Sequence, residues 1–229
     1  MEPKRETGLV DKAFAVHEHL LIYHVLWKLD PRLAAIGLAA TGIHELWKRR
    51  GDIFVARLIE LNIDPPAERL RERDFLEALA ATLRRVQDSV ADEKIRSFAD
   101  MFATYYEGGH FQSVDHFDEY LSILHELSLR EFRVLVILHK YEHRNPLEGR
   151  NPLQRATAVW ESFQQEVELK VGIPRAQLAA TLTRIQRTGL YETITGAFLD
   201  YTGGKGCLTP LFHDFLSTLR IPAHPSSAS

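Results

Sequence analysis

Apolar residues in the first half of the chain recur at the three- and four-residue spacing of amphipathic helices. The spacing predicts a helix from Val10 to Leu29 and a second helix that begins at Pro31 and stops at Gly51, after three basic residues. Four further apolar faces follow: Ile53, Leu58 and Leu61; Phe75, Leu79 and Leu83; Ile95, Phe98 and Phe102; and Phe117, Leu121, Leu124 and Leu127. The pattern therefore predicts a bundle of about six helices.

A capping box marks the start of the second half of the chain. Ser128 is placed as an N-cap, and Glu131 stands three residues later as its reciprocal partner. The segment that follows, FRVLVILHKY, is apolar nearly all round, which indicates a buried helix. The polar stretch from His143 to Arg155 predicts an exposed connector, and a further helix is predicted from Ala156 to Val171.

The run GIPRAQLAATLTRIQRTGLYE, residues 172–192, predicts a tight turn and another helix. Gly172 is expected to end the preceding helix in a left-handed conformation, and Pro174 is expected in the first turn of the next. Leu178, Leu182 and Ile185 share its apolar stripe, and Gly189 closes the helix. Two helices joined by so short a turn form a helix-turn-helix arrangement.

A hairpin and a last helix are predicted after this run. Residues 191–202 have β-type composition, the sequence GGKG is a turn, and Cys207 and Leu208 return as a short strand. Thr209 then caps a helix that Pro210 begins.

The phrases GIPRAQLAATLTRIQRTGLYE and CLTPLFHDFL are similar to the turn, third helix and post-wing helix of winged helix-turn-helix domains. Residues 128–220 therefore resemble that superfamily. The resemblance implies a third helix that enters the DNA major groove and a hairpin that contacts the backbone or minor groove, although many members serve as protein-contact modules instead. The expected fold is mainly α: a tail (1–8), a helical bundle (9–127), a winged helix (128–220) and a disordered tail (221–229).

Charge separates the two halves. The net charge is −3 for the whole chain, −6 for residues 1–127 and +3 for residues 128–220. The excess of positive charge in the second half is small for a DNA-binding domain, because phosphate contacts supply much of the affinity. The sequence has one cysteine and no signal peptide, which predicts a cytoplasmic protein. Its smoothest apolar stretch has 11 residues (33–43), short of the roughly 20 that span a bilayer, so stable membrane insertion is not expected.

The predicted third helix offers a candidate DNA-binding surface. A helical wheel places Ala176, Ala180 and Arg187 at its outward centre. The candidate DNA-binding residues are Arg175, Gln177, Thr183, Arg184, Arg187 and Lys205, the last at the hairpin tip. The alternative is that these arginines are ordinary solvated side chains and that the alanine-rich face packs on a second subunit or on the first half of the chain.

Candidate chemistry is sparse. His17 with His24, and His139 with His143, have spacings that suit a metal, but no third ligand accompanies either pair. Cys207 with His213 is conceivable as a catalytic pair, although a buried thiol is commoner. The GGKG sequence lacks the spacing of a phosphate-binding loop. Small residues at Ala34, Gly37, Ala40 and Thr41 suit tight helix packing, a homodimer seam or a transient lipid contact.

The function expected from the sequence is a bacterial, non-enzymatic regulator that binds double-stranded DNA, with a first half that dimerises or binds a partner or ligand. No cofactor, metal or catalytic residue is expected. The alternative is a winged-helix scaffold, active in stress or phage-related defence, that contacts proteins and not DNA. Convergence of Arg175, Arg184, Arg187 and Lys205 on one open face would favour the first.

Overall fold

A computed structural model describes residues 37–144, 151–194 and 204–220, with side chains from Glu45 onward. The prediction of a mainly helical chain with one small hairpin is confirmed. The elements are α1 (Gly37–Glu60), a 3-10 turn (Arg69–Arg71), α2 (Arg73–Asp88), α3 (Asp92–Glu107), α4 (Val114–Glu126), α5 (Leu129–Arg144), α6 (Pro152–Val171), α7 (Arg175–Gln186), β1 (Tyr191–Thr193), β2 (Gly206–Leu208) and α8 (Pro210–Ser217). Several predictions lie outside the described residues: the helix from Val10 to Leu29, the helix start at Pro31, the side chains of Ala34, Gly37, Ala40 and Thr41, residues 145–150 of the connector, residues 195–203 of the hairpin, and both tails.

The first half is organised around the ring of Phe102 on α3. Its centroid lies 5.6 to 6.4 Å from those of Phe54, Phe75, Tyr105 and Phe117, which come from α1, α2, α3 and α4. Tilted and edge-on rings at this separation are the favoured aromatic geometry. The predicted apolar faces of α2, α3 and α4 are therefore confirmed as core.

The prediction that a helix stops at Gly51 is wrong, because α1 runs without a break to Glu60. A glycine inside a helix costs about 1 kcal/mol relative to alanine. Here the residues beyond it, Phe54 and Leu58, continue the buried face and pack into the core. Their burial offsets the cost, and Gly51 itself is buried within the helix.

The capping box at the start of α5 is confirmed. The Ser128 N–H donates to Glu131 Oε2 at 2.9 Å, and the Glu131 N–H donates to Ser128 Oγ at 3.2 Å. The predicted start of the next helix is four residues late, because α6 begins at Pro152 behind a second capping box, in which Asn151 and Gln154 exchange hydrogen bonds. The sequence signature of this helix start is an asparagine followed three residues later by a glutamine.

The turn between α6 and α7 has the predicted geometry at Gly172, which is left-handed with φ 69° and ψ 32°. Pro174 is the N-cap of α7 and stands one position before the predicted first turn. The hairpin pairs antiparallel in the register Tyr191 with Leu208 and Thr193 with Gly206. Gly206 has no substitute there, since a Cβ would overlap the Glu192 carbonyl and the Tyr191 ring.

The C-terminal helix joins the second half to the first. Phe215 of α8 is fully buried, and its ring stacks on that of Tyr120 in α4 at a centroid distance of 6.2 Å. Just beyond α8, the Thr218 carbonyl accepts a hydrogen bond from Thr104 Oγ1 at 3.0 Å, and Arg220 pairs with Glu107. One hydrophobic cluster therefore extends from Phe54 to Leu219 and crosses the domain boundary predicted near Leu127. The chain does break there, between α4 and α5, but the division into two domains stays a prediction.

Candidate functional site

Helix α7 presents the face that the sequence predicted. Leu178, Leu182 and Ile185 are buried, so the predicted apolar stripe is confirmed. The opposite side is exposed and built from small residues: Ala176, Ala179, Ala180 and Thr183, with Arg187 beyond them at the C-cap. No described residue covers this strip, which we call the α7 outer face.

Two of the predicted DNA-binding arginines lie on opposite flanks of α7, and carboxylates neutralise both. Arg175 Nη1 lies 2.5 Å from Glu161 Oε1, and its Nε lies 3.4 Å from Glu168 Oε2; both acids belong to α6. On the other flank, Arg184 Nε lies 3.0 Å from Oε1 of Glu131, the carboxylate that also caps α5. Since nine residues separate the two arginines, they point about half a turn apart on the helix.

The remaining candidates do not assemble a cationic surface either. Lys205 Nζ donates to Thr157 Oγ1 on α6 at 3.0 Å, and Thr183 Oγ1 donates to the Ala179 carbonyl of its own helix at 3.0 Å. Gln177 is exposed beside the N-terminus of α7. Within the described part of the chain, Arg187 is the one predicted cation of the four whose side chain has no hydrogen-bonding or ionic partner. Convergence of Arg175, Arg184, Arg187 and Lys205 on one open face was the condition that would favour DNA, and the opposite flanks of Arg175 and Arg184 do not meet it.

A cavity of about 440 Å³ lies between α5, α6, the hairpin and α8. Six of its lining residues matter chemically: Tyr141, Glu142, Arg155, Glu192, Cys207 and His213. Glu142 Oε1 accepts a hydrogen bond from the Leu208 N–H at 3.1 Å, which ties α5 to β2. Burial raises the pKa of Glu142 to about 7, although that hydrogen bond and Arg155 act to lower it.

Sequence reasoning missed Glu142. The residue follows the apolar segment of α5 by one position, and nothing in that local sequence indicates a buried carboxyl. Its burial depends on β2, which lies 66 residues further along the chain. Only the assembled hairpin shows it.

Cys207 and His213 line the same cavity, as a catalytic pair would require. The thiol, however, donates to Glu192 Oε1 at 3.5 Å, and burial together with Glu192 raises the pKa of Cys207 to about 12. A thiol of this pKa is protonated at neutral pH and is a poor nucleophile. The geometry therefore disfavours the nucleophilic role.

Three histidines meet beside the cavity. The ring of His139 lies 5.9 Å from that of His143 and 5.5 Å from that of His213, a neighbour that the sequence did not reveal. Burial, reinforced by the other two rings, lowers the pKa of His139. Among the described residues, no group of three or more histidine, cysteine, aspartate or glutamate side chains is arranged to hold a metal ion. His17 and His24 lie outside those residues.

A salt-bridge network fixes the helix that carries the acids facing α7. Lys140 Nζ lies 2.7 Å from both carboxylate oxygens of Glu166, and Lys170 Nζ lies 2.8 Å from Oε1. Burial acts to raise the pKa of Glu166, but the hydrogen bonds from Lys140 and Lys170 outweigh it and lower the pKa to about 2. The network holds α6 in position against α5 and thereby positions the face of α6 that carries Glu161 and Glu168.

Within the described ranges, no helix is both long enough and apolar enough to cross a bilayer. No protein-family model matches the chain, and comparisons with curated proteins and with solved structures find no significant match.

Proposed function

We propose that residues 128–220 form a winged helix-turn-helix domain that uses the α7 outer face to bind protein and not duplex DNA. The order of three helices, hairpin and helix supports the fold assignment, as does the antiparallel pairing of β1 with β2. The observation that carries the function is the pairing of Arg175 and Arg184 with carboxylates on both flanks of α7.

The charge balance around α7 argues against DNA. Three arginines (175, 184 and 187) stand beside three glutamates (131, 161 and 168). Duplex DNA carries one negative charge per about 1.7 Å of helix axis, so it favours surfaces with an uncompensated cationic excess. Glu161, with a side chain 76% exposed, would face that charge directly.

The same surface suits a protein partner. Alanine side chains at positions 176, 179 and 180 let another helix approach closely, because the distance between packed helices is set by the side chains between them. The ion pairs on either flank then form a polar rim around a small apolar centre, which is the usual anatomy of a protein interface. The partner is a second copy of this chain or another protein with a complementary apolar helix.

DNA binding is the second candidate. The observation that favours it is the exposure of Arg187, whose side chain has no partner among the described residues. Exposed ion pairs contribute only about 0–1 kcal/mol. DNA phosphates could therefore replace the glutamates as partners of Arg175 and Arg184, and the experiment tests this alternative.

We expect the wild-type protein to show no salt-sensitive binding to a fluorescent random-sequence duplex in anisotropy titrations at low and moderate salt. The matched gain-of-charge variant is Glu161→Gln/Glu168→Gln, which removes both carboxylate partners of Arg175 through changes on α6 and none on α7. It should bind the duplex at least about tenfold more tightly at low salt than the wild type. Salt-sensitive wild-type binding that Arg184→Glu/Arg187→Glu abolishes would instead establish the DNA-binding function.

The protein-binding arm uses Ala176→Glu/Ala180→Glu, which places two charges at the centre of the α7 outer face. Burial of an unpaired charge in an interface costs several kcal/mol, so affinity should fall about thirtyfold or more. Sedimentation velocity reports a second copy as partner, and affinity capture from cell extract reports another protein. The matched control is Ala80→Glu, at an exposed alanine of α2. A complex that survives the double variant as well as it survives the control would contradict the assignment to α7.

A further inference from the structure

The cavity beside the hairpin has the dimensions of a ligand site. Its volume of about 440 Å³ falls within the range of roughly 300–1,000 Å³ that small-molecule sites occupy. Leu138, Val159 and Leu208 supply apolar walls, and Glu142 supplies a carboxyl group among them. Apolar walls with a few convergent polar groups are the usual composition of such sites.

Glu142 is the partly buried carboxyl group of this cavity, and little compensates its charge. Among the described residues its carboxyl receives a single hydrogen bond, from the Leu208 N–H, and forms no ion pair. A half-buried carboxylate without a counter-ion is costly, and a ligand that brings a positive charge removes that cost.

We propose that this cavity binds a small organic cation, a primary ammonium group on an apolar body, with Glu142 as the carboxylate that pairs with it. The ammonium would lie against Glu142 Oε2, which Leu208 leaves open, and the apolar body would contact Leu138 and Val159.

The other charged and titratable groups around the cavity fit a cation better than an anion. Glu192 on β1 adds a second carboxylate, and the thiol of Cys207 on β2 is neutral. Arg155 on α6 is the one arginine or lysine that lines the cavity among the described residues, and it is exposed. His213 on α8 and Tyr141 on α5 complete the set. A bare metal ion is disfavoured, because no metal-binding group of three ligands is present in the described part of the chain.

The test uses phenethylamine as probe, with 2-phenylethanol as its neutral counterpart and 3-phenylpropionate as its anionic counterpart. Binding to the full-length chain is followed by two-dimensional NMR of the backbone amides. We expect the amine at millimolar concentration to shift the amide resonances of Leu208 and Cys207 and to bind about tenfold more tightly than the alcohol. We expect 3-phenylpropionate not to bind. The affinity of the amine should fall about tenfold between about pH 8 and about pH 6, since the ammonium must displace a proton from Glu142.

Glu142→Gln keeps an oxygen for the Leu208 N–H and removes the charge, so it should lower the amine's affinity about tenfold and leave that of the alcohol unchanged. Glu161→Gln, on the outer side of α6, is the control and should bind the amine as the wild type does. Equal affinities for amine and alcohol, an unchanged amine affinity in Glu142→Gln, or no amide shift with the amine would each overturn the proposal. The amide spectrum without ligand shows whether each variant is folded.

Discussion

Replacement of Phe215 by alanine is expected to lower the free energy of unfolding by about 3–5 kcal/mol, the usual cost of deleting a buried phenylalanine ring. Phe215 is fully buried in α8 and stacks on Tyr120 of α4, so the cavity left behind lies between the two halves of the chain. Urea unfolding followed by circular dichroism measures the loss.

The same experiment tests whether the two halves unfold as one unit. Trp160 is the only tryptophan in residues 128–220, so in a Trp27→Phe/Trp47→Phe background its fluorescence reports the second half alone. We expect fluorescence and circular dichroism to show one coincident transition before and after the Phe215 change, because the hydrophobic core runs through both halves.

Leu169→Ala is the matched control for Phe215→Ala. Leu169 is 76% exposed on α6, so its truncation should change stability by no more than about 0.5 kcal/mol. Two separate transitions, with only the later half affected by Phe215→Ala, would show that the boundary predicted near Leu127 divides two independent domains.

Local sequence was sufficient to predict most of the helices. The apolar stripes of α2, α3, α4 and α7, the capping box at Ser128 and the left-handed Gly172 all depend on residues within about one or two turns of each other. Gly51 shows the limit of such reasoning. A glycine after three basic residues has the composition of a helix end, and only the packing of Phe54 in the core explains why α1 continues.

For the candidate site, the sequence predicted the arginines of α7 but not the carboxylates that pair with them. A helical wheel placed Arg175 and Arg184 on the flanks of α7, but it contains no information about the neighbouring helices. The acids that neutralise them come from α6 and from the cap of α5, up to 53 residues away. Which arginines remain available to a ligand is therefore a property of the packed helices, and the only basis in the sequence for ranking DNA against protein was the small positive excess of residues 128–220.

Glu142→Gln is expected to stabilise the protein at alkaline pH by up to about 3 kcal/mol and at about pH 5 by no more than about 1 kcal/mol. Burial raises the pKa of Glu142 in the folded state to about 7, against 4.5 for the free side chain. Between these values the folded protein holds a proton that the unfolded chain has released. The contribution of Glu142 to stability therefore falls as the pH rises from about 4.5 to about 7, and it stays low above that.

The glutamine variant removes this dependence, because it does not ionise and still accepts the Leu208 N–H. The measurement is the urea midpoint of both proteins at about pH 5 and about pH 8, converted to free energies with a common slope. The difference between the two proteins isolates Glu142 from other groups. Lowering of the pKa of His139 makes stability rise with pH below about 6.5, which opposes the effect of Glu142. Glu166 makes stability depend on pH only below about pH 4.5, where protonation removes its stabilising ion pairs.

Glu119→Gln is the control, at an exposed glutamate of α4 that forms no ion pair among the described residues, and it should not show the gain expected of Glu142→Gln. An equal gain at both pH values in Glu142→Gln would attribute the effect to packing and contradict the raised pKa. A loss at about pH 8 would show that the ionised carboxylate stabilises the fold, through Arg155 or the β2 amide, and that burial is not its dominant environment. A gain confined to alkaline pH would also mean that the cavity carries an uncompensated charge in the free protein, which is the condition that makes a cationic ligand favourable there.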